Sequence, residues 1–447
     1  FFLTDPIEDW PRDWADYKKN YQATFTAKLL FPNNNNYEVM PWPDRIYEGL
    51  YKTSKDSENK ERIPRFYSTQ MQVMVNALNN MPLTETKVSG SDGISVLMSN
   101  SLMFQRTPQP VDGYDDPQLS NFYGLALPFL KRGVPVQTMH IENVQYPETW
   151  KDTKVLLMSY SNMKPLDKAA HADIARWVKN GGVLVYSGSD NDPFQSVQEW
   201  WNQNDYTYTT PSQHLFESMQ LERNPNEGAH TYGKGVVYIL RTDPKEYVLK
   251  TDGDKQLVEV VTDLYNKHAG KGNMEFKNSY YLQRGAYELV SVLDESVSDA
   301  PFTVEGVLVD LFDPQLPVTT TKVVNPGEQA FLCNIRKLKD PKKPQVLAAA
   351  ARVYNEAYKN KTYSFLVKSP IETTNSMRVL LPARPASVVL TNHKGEKIDT
   401  FTYEWDAMSS TCLLGFENHP DGVNVQISLG AEAKSTKAQP VYQNPVV

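Results

Sequence analysis

Apolar residues recur along this chain with two different periods, and the switch between them marks out its parts. The clearest stretch runs from Lys154 to Asp190. Val155-Leu156-Leu157-Met158 is a continuous apolar run, as in a strand buried on both faces. Ala169, Ile174, Trp177 and Val178 then fall at helical spacing. Gly181 and Gly182 end that helix where a left-handed residue is wanted, and Val183-Leu184-Val185-Tyr186 forms the next strand. Strand, helix, strand in this order predicts a βαβ unit on a parallel sheet.

The same pattern extends to both sides. Strands are expected at 94–98, 134–138 and 236–240 and helices at 121–132 and 254–268, which makes 90–270 a doubly wound α/β domain. Before it, residues 1–85 read strand (Phe1–Thr4), helix (14–30), strand (37–40), charged loop (52–62) and helix (63–80). Alternation of this kind is how a (β/α)8 barrel ends. After it, 275–430 is a series of short strands separated by Pro, Gly and Asn, the pattern of a β-sandwich. Residues 431–447 form a polar tail expected to fray. The fold class is therefore α/β plus all-β.

Composition narrows the function. At 447 residues the chain exceeds a single core. Aromatics reach 11%, with 25 Tyr and 8 Trp; rings suit sugar faces, although Tyr-rich β domains account for much of this. A net charge of −7 without a basic cluster disfavours nucleic acid. No apolar run approaches the ~18 residues of a membrane span. Cys333 and Cys412 make neither a disulfide framework nor a zinc site; buried free thiols are expected, with a Cys333–Cys412 bond as the alternative. No His-Glu-x-x-His or Asp-rich calcium loop occurs, and Gly233-Lys234-Gly235 lacks phosphate-loop spacing. No metal or cofactor is expected. The opening FFLTDPIEDWP carries no initiator Met or signal peptide, so a fragment of a longer protein is expected.

Several segments carry a resemblance. YEVMPWPDRIY (37–47), NFYGLALPFLKRGVPVQTMHI (121–141) together with the 154–190 unit, and YLQRGAYELVSVLDES (281–296) leading into EGVLVDLFDPQLPV (305–318) resemble multidomain bacterial glycoside hydrolases of the family 42 β-galactosidase type. The resemblance implies the end of a TIM barrel, then a flavodoxin-like domain similar to class I glutamine amidotransferases, then the β-sandwich. It implies retaining hydrolysis of a β-linked glycan such as a β-galactoside, a carbohydrate substrate, and assembly as a trimer or dimer through the middle domain. It also implies export to the periplasm or the outside. In such enzymes two carboxylates on different barrel strands do the chemistry, with the nucleophile ending the seventh strand. If 37–40 is the eighth strand, Phe1–Thr4 is the seventh, which points to Asp5 first and Glu8 second. At least one partner then lies upstream of Phe1.

Other readings of these residues stand beside the catalytic one. Asp5 caps the turn before Pro6, or Glu8 and Asp9 begin a helix. Glu38, inside a strand, is expected to face the barrel interior, as a site carboxylate or in an ion pair with Arg45. Trp42 between two prolines is a rigid ring suited to a sugar platform or to packing, and Asp44 and Arg45 beside it are further substrate-binding candidates. The middle domain lacks what amidotransferase chemistry needs. No Cys occurs between Phe1 and Asn325, Ser159-Tyr160-Ser161-Asn162 lacks elbow glycines, and His171 is expected on a helix surface. Its loops at Tyr114–Gln118 and Trp200–Tyr208 are expected either to line a neighbour's active site or to pack. Arg284 is expected to be structural. Two other functions compete with the hydrolase: a non-catalytic carbohydrate-binding or scaffold protein with a degenerate hydrolase architecture, and the assembly half of an enzyme whose barrel lies elsewhere.

Overall fold

The structure, a computed structural model, describes residues 2–4, 13–39, 43–103 and 117–430. The chain divides into two compact units. One holds the chain up to Val88, Ser279–Asp294 and the chain from Asp299 on; the other holds Ser89–Asn278 and Glu295–Ser298.

The first unit opens with β1 (Phe2–Thr4), α1 (Trp14–Leu29) and β2 (Tyr37–Val39). β1 and β2 pair in parallel, from Phe2 with Tyr37 to Thr4 with Val39. Asp13 caps α1 by accepting the Asp16 N–H at 2.9 Å, a contribution of about 1 kcal/mol. Tyr17, Tyr21, Phe25 and Leu29 recur every four residues and are buried, so this stripe is the packing face. Helix α2 (Pro43–Tyr47) comes next. The charged stretch expected as a loop forms a hairpin, β3 (Leu50–Lys52) with β4 (Lys60–Arg62). Neither strand buries a residue, so no alternation announced it. Helix α3 (Arg65–Ala77) starts after Pro64. Among the described residues, β1 and β2 form a two-stranded sheet of their own rather than a closed barrel.

The second unit contains β5 (Ile94–Met98), α4 (Tyr123–Leu130), β6 (Val136–His140), α5 (Pro147–Trp150), β7 (Val155–Met158) and α6 (Ala169–Lys179). It continues with β8 (Val183–Ser187), α7 (Pro211–Ser218), β9 (Gly228–Tyr232), β10 (Gly235–Leu240), α8 (Glu246–Leu249) and α9 (Lys255–His268). The strand order is β6-β5-β7-β8-β10-β9. Every pair is parallel except the edge strand β9. Apolar clusters cover both faces, one with Phe129, Leu257 and Val261, the other with Ile174, Val178 and Phe216. That is the doubly wound arrangement. Gly181 adopts φ +118° at the end of α6. A Cβ on Gly182 would lie 2.4 Å from the Trp177 ring, so the Gly-Gly pair both stops the helix and lets Trp177 fold back over it.

The chain then returns to the first unit. β11 (Ser279–Arg284), β12 (Tyr287–Val292), β13 (Phe302–Asp310), β14 (Val318–Val324) and β15 (Gln329–Asn334) form an antiparallel sheet in the order β11-β12-β15-β13-β14. A two-sheet sandwich follows. One sheet holds β16 (Gln345–Ala349), β19 (Thr374–Leu380), β22 (Phe401–Asp406) and β23 (Thr411–Glu417). The other holds β17 (Arg352–Lys359), β18 (Thr362–Lys368), β20 (Pro385–Asn392), β21 (Lys397–Ile398) and β24 (Val423–Leu429). The sandwich expected over 275–430 is thus a five-stranded sheet plus a sandwich. The opening helices share a core with these sheets: Tyr21, Phe25, Tyr67 and Met71 cluster with Leu289, Phe331 and Leu347.

Candidate functional site

The opening βαβ unit sets one edge. Thr4 and Val39 are register partners, so β1 and β2 end on the same side, where a barrel would carry its chemistry. Asp5, Glu8 and Trp42 follow these strands in sequence and lie outside the described residues. Glu38, on β2, is exposed, not the interior carboxylate its strand position suggested. Asp44 is also exposed, in the first turn of α2, where a carboxylate favours the helix N-terminus. Arg45 is half-buried, and its carbonyl accepts the Tyr51 hydroxyl at 2.7 Å. Glu38 and Asp44 therefore occupy separate elements.

The opposite edge of the unit is built for stability. Arg284 is fully buried at the end of β11. Its guanidinium donates to the carbonyls of Leu29 (3.1 Å), Phe31 (3.4 Å), Asn34 (2.9 Å) and Pro82 (2.9 Å) and to the Tyr37 hydroxyl (2.8 Å). It thereby satisfies the carbonyl of Leu29, the last residue of α1, together with those of the loops that follow α1 and α3. Lys28 nearby is 3% exposed, with its ammonium 4.3 Å from the centre of the Phe25 ring. Burial brings its pKa down to about 7. Both side chains sit where α1 ends and β2 begins, away from the edge that Asp5 follows.

In the second unit, the C-terminal ends of the parallel strands are where a doubly wound sheet binds ligands. Asp190, just past β8, has φ +54°. Its carboxylate accepts from the Tyr186 hydroxyl, from Ser212 Oγ at 2.8 Å and from Arg241 at 3.2 Å. Burial raises its pKa, and these partners oppose the rise. An open cleft of about 590 Å³ lies beside it, between Ser189, Thr209, Asn226 and Arg241. His171 is fully buried rather than at the surface. Its Nε2 bonds the Tyr160 hydroxyl at 2.7 Å and its Nδ1 meets His214 Nδ1 at 2.8 Å. Burial, then His214, pushes its pKa down to about 3. Trp201 is core, and Trp200 packs on His171 and His214 with its indole N–H on the Pro165 carbonyl at 3.0 Å. The Trp pair therefore packs within the unit. Cys333 and Cys412 are buried free thiols of the first unit, each pushed up to about 12 by burial, so neither supplies a thiolate near neutral pH.

Side chains suited to a sugar converge in a groove of about 420 Å³ in the first unit. Register builds its floor: Ser376 pairs with Gly415, and Gly415 with Thr402; Arg378 pairs with Leu413, and Leu413 with Glu404. Phe66 and Thr69 of α3 and Pro314 and Pro317 wall it. Arg378 is 6% exposed and held by the Leu316 carbonyl at 2.5 and 3.1 Å and by Thr411 Oγ1 at 3.3 Å. A Cβ on Gly415 would lie 2.7 Å from Thr402 Oγ1, so glycine keeps the floor low. A ring wall, a fixed guanidinium, a carboxylate and hydroxyls are what a pocket needs to orient a polyhydroxylated ligand. Sequence reading missed this groove, because its residues meet only through the register of three strands and α3.

No helix among the described residues is long and apolar enough to cross a membrane. No protein-family model and no curated protein matches the chain. Among solved structures it is similar to a β-galactosidase from Bacillus circulans sp. alkalophilus, at 12% identity and TM-score 0.30 over 55% of this chain and 42% of that one. It is similar to a β-galactosidase from Rahnella sp. R3, at 9% and 0.36 over 74% and 59%. A rhamnosidase from Novosphingobium sp. PP1Y matches at 9% and 0.34 over 96% and 45%. These neighbours are glycoside hydrolases, and the chain spans less than two thirds of the length of each. At these scores the likeness is coarse.

Proposed function

We propose that this chain is a retaining glycoside hydrolase acting on a β-linked glycan such as a β-galactoside, or the C-terminal portion of one. The observation that carries this reading is the parallel, in-register pairing of β1 with β2 across α1, the connection that the last two strands of a (β/α)8 barrel require. In the retaining reaction one carboxyl group protonates the leaving oxygen and a second attacks the anomeric carbon. Asp5 is the first candidate for the nucleophile and Glu8 the second, with Glu38, exposed on β2, as the remaining carboxylate candidate. Trp42 offers a sugar platform, with Asp44 and Arg45 as polar partners. The doubly wound unit is the amidotransferase-like assembly domain of a trimer or dimer, without a nucleophile of its own, and the protein works in the periplasm or outside the cell, as in the family 42 β-galactosidases it resembles.

A panel of nitrophenyl glycosides on the full-length protein tests this. Asp5→Asn is expected to lower kcat about 10³-fold or more if Asp5 attacks the sugar. Unchanged rates in Asp5→Asn, Glu8→Gln and Glu38→Gln would remove all three assignments. The groove over Gly415 favours a second reading, a non-catalytic carbohydrate-binding protein with a degenerate hydrolase architecture. Retention on a glycan matrix without turnover of any glycoside would select it.

A further inference from the structure

The β20–β21 turn and the β23–β24 turn emerge side by side. β20 and β24 are neighbours in one sheet, and Asn392 at the end of β20 pairs with Val423 at the start of β24. This register brings His393 from one turn to His419 and Asp421 from the other. His393 Nε2 lies 3.9 Å from Asp421 Oδ2, and His419 Nδ1 lies 3.8 Å from the same oxygen. The two imidazoles stack at 5.1 Å with 21° between their planes. All three ligating atoms fall within 4.8 Å of one another, and among the described residues no other group of three His, Cys, Asp or Glu is so placed.

These separations are too long for hydrogen bonds, so neither ring gives the carboxylate a proton. The cluster is two imidazole nitrogens and a carboxylate oxygen close enough for one ion to reach all three. A tetrahedral zinc ion with bonds of about 2.0–2.2 Å holds its ligand atoms about 3.3 Å apart; the nitrogen–oxygen separations of 3.9 and 3.8 Å are roughly half an ångström longer, and the two nitrogens, within 4.8 Å of each other, close by rotation of exposed side chains. The turns are already shaped for it. Asn392 Oδ1 accepts the N–H of Lys394 and of Glu396, each at 2.9 Å, and the His419 carbonyl accepts the Gly422 N–H at 3.1 Å. His419 Nδ1 accepts the Asp421 N–H at 3.1 Å, a bond that ligation through this nitrogen replaces. Two imidazoles and one carboxylate with an open position suit a borderline ion such as Zn²⁺ over Mg²⁺ or Ca²⁺.

We propose that His393, His419 and Asp421 bind a divalent transition-metal ion, Zn²⁺ in the first instance, which ties the two turns together and leaves a coordination position for water or an exogenous ligand. The site is independent of the hydrolase reading. Calorimetric titration of chelator-stripped full-length protein with Zn²⁺ tests it, with Co²⁺ absorption as a second readout. The expected result is one ion per chain with micromolar affinity. Affinity should fall tenfold or more in both His393→Ala and Asp421→Asn, with a tetrahedral Co²⁺ spectrum lost in the same variants and no response to Mg²⁺. The three side chains are at least one third exposed, so the variants should fold, and circular dichroism checks this. Equal binding by wild type and both variants, or no binding by wild type at 100-fold excess Zn²⁺, would overturn the proposal.

Discussion

Replacing Arg284 should unfasten α1 from the first unit. Its guanidinium makes five contacts of 2.8–3.4 Å, four of them to backbone carbonyls. Hydrogen bonds from a charged donor contribute about 1.5–3 kcal/mol each, but the sum is not the answer, because burying the cation opposes it. What decides the mutant is the set of acceptors left behind. Arg284→Ala leaves the buried Leu29 carbonyl without this donor and opens a cavity, while the Tyr37 hydroxyl keeps its bond to the Asn34 carbonyl at 2.6 Å. We estimate a loss of about 3–5 kcal/mol. Arg284→Lys keeps the charge but supplies a compact ammonium in place of the guanidinium fork, and should lose about 1.5–3 kcal/mol. In urea, with m of about 2–3 kcal/mol/M, Arg284→Ala moves the midpoint of the first unit down by about 1–2.5 M. Hydrogen exchange in α1 should rise while exchange in β7 and β8 of the second unit holds. A midpoint shift below about 0.3 M for Arg284→Ala would refute the reasoning.

Other outcomes follow from the same geometry. Between about 7, the folded value for Lys28, and the ordinary ~10.5 the unfolded chain keeps a proton that the folded unit has lost. Stability of the first unit therefore rises with pH across that window, by at most about 1.4 kcal/mol per pH unit; Lys28→Met should flatten this slope in urea melts from pH 7 to 9.5. His171 acts in the same sense in a lower pH window. Its folded pKa of about 3 lies below the ordinary ~6.5, so the second unit loses stability as pH falls through that interval, and an NMR titration showing His171 protonating near 6.5 would contradict its burial. Gly415→Ala, with a Cβ 2.7 Å from Thr402 Oγ1, should raise the groove floor and cut retention on a glycan matrix tenfold or more while leaving circular dichroism unchanged. Full retention would exclude the groove as the binding site.

What could be read from residues alone was whatever one element's periodicity specifies. The 154–190 βαβ unit, the aromatic stripe of α1 and the Gly-Gly stop each depend on neighbours within a few positions, and each is present. The misses share a different cause. Helix α7 and strand β9 carry mixed polar sequence, PSQHLFES and GAHTY, whose apolar spacing is too sparse to assign a period. The apolar run from Val346 to Val353 reads as one strand. The chain instead changes sheets within the buried alanines Ala348–Ala351, leaving β16 in one sheet and starting β17 in the other. His171 looks like a surface helix residue until Tyr160 and His214 supply its two hydrogen-bond partners. The groove and the His393–His419–Asp421 group depend on cross-strand register, which no local window contains. Of the expected rim residues, only Glu38, Asp44 and Arg45 fall among the described ones.

The interruption of the first unit by the second has a consequence for biosynthesis. Helix α1 ends at Leu29 and buries its aromatic face against strands that finish with β15, which begins at Gln329. At roughly 5–20 residues per second, a ribosome needs about 15–60 s to cover that gap. The parallel-sheet unit emerges whole in the interval and can fold meanwhile. Phe25 must wait for Phe312 and Phe331, partners not yet made. The nascent chain is therefore most vulnerable to sticking and to proteases before its last third appears, and a chaperone that shields aromatic helices should engage it there.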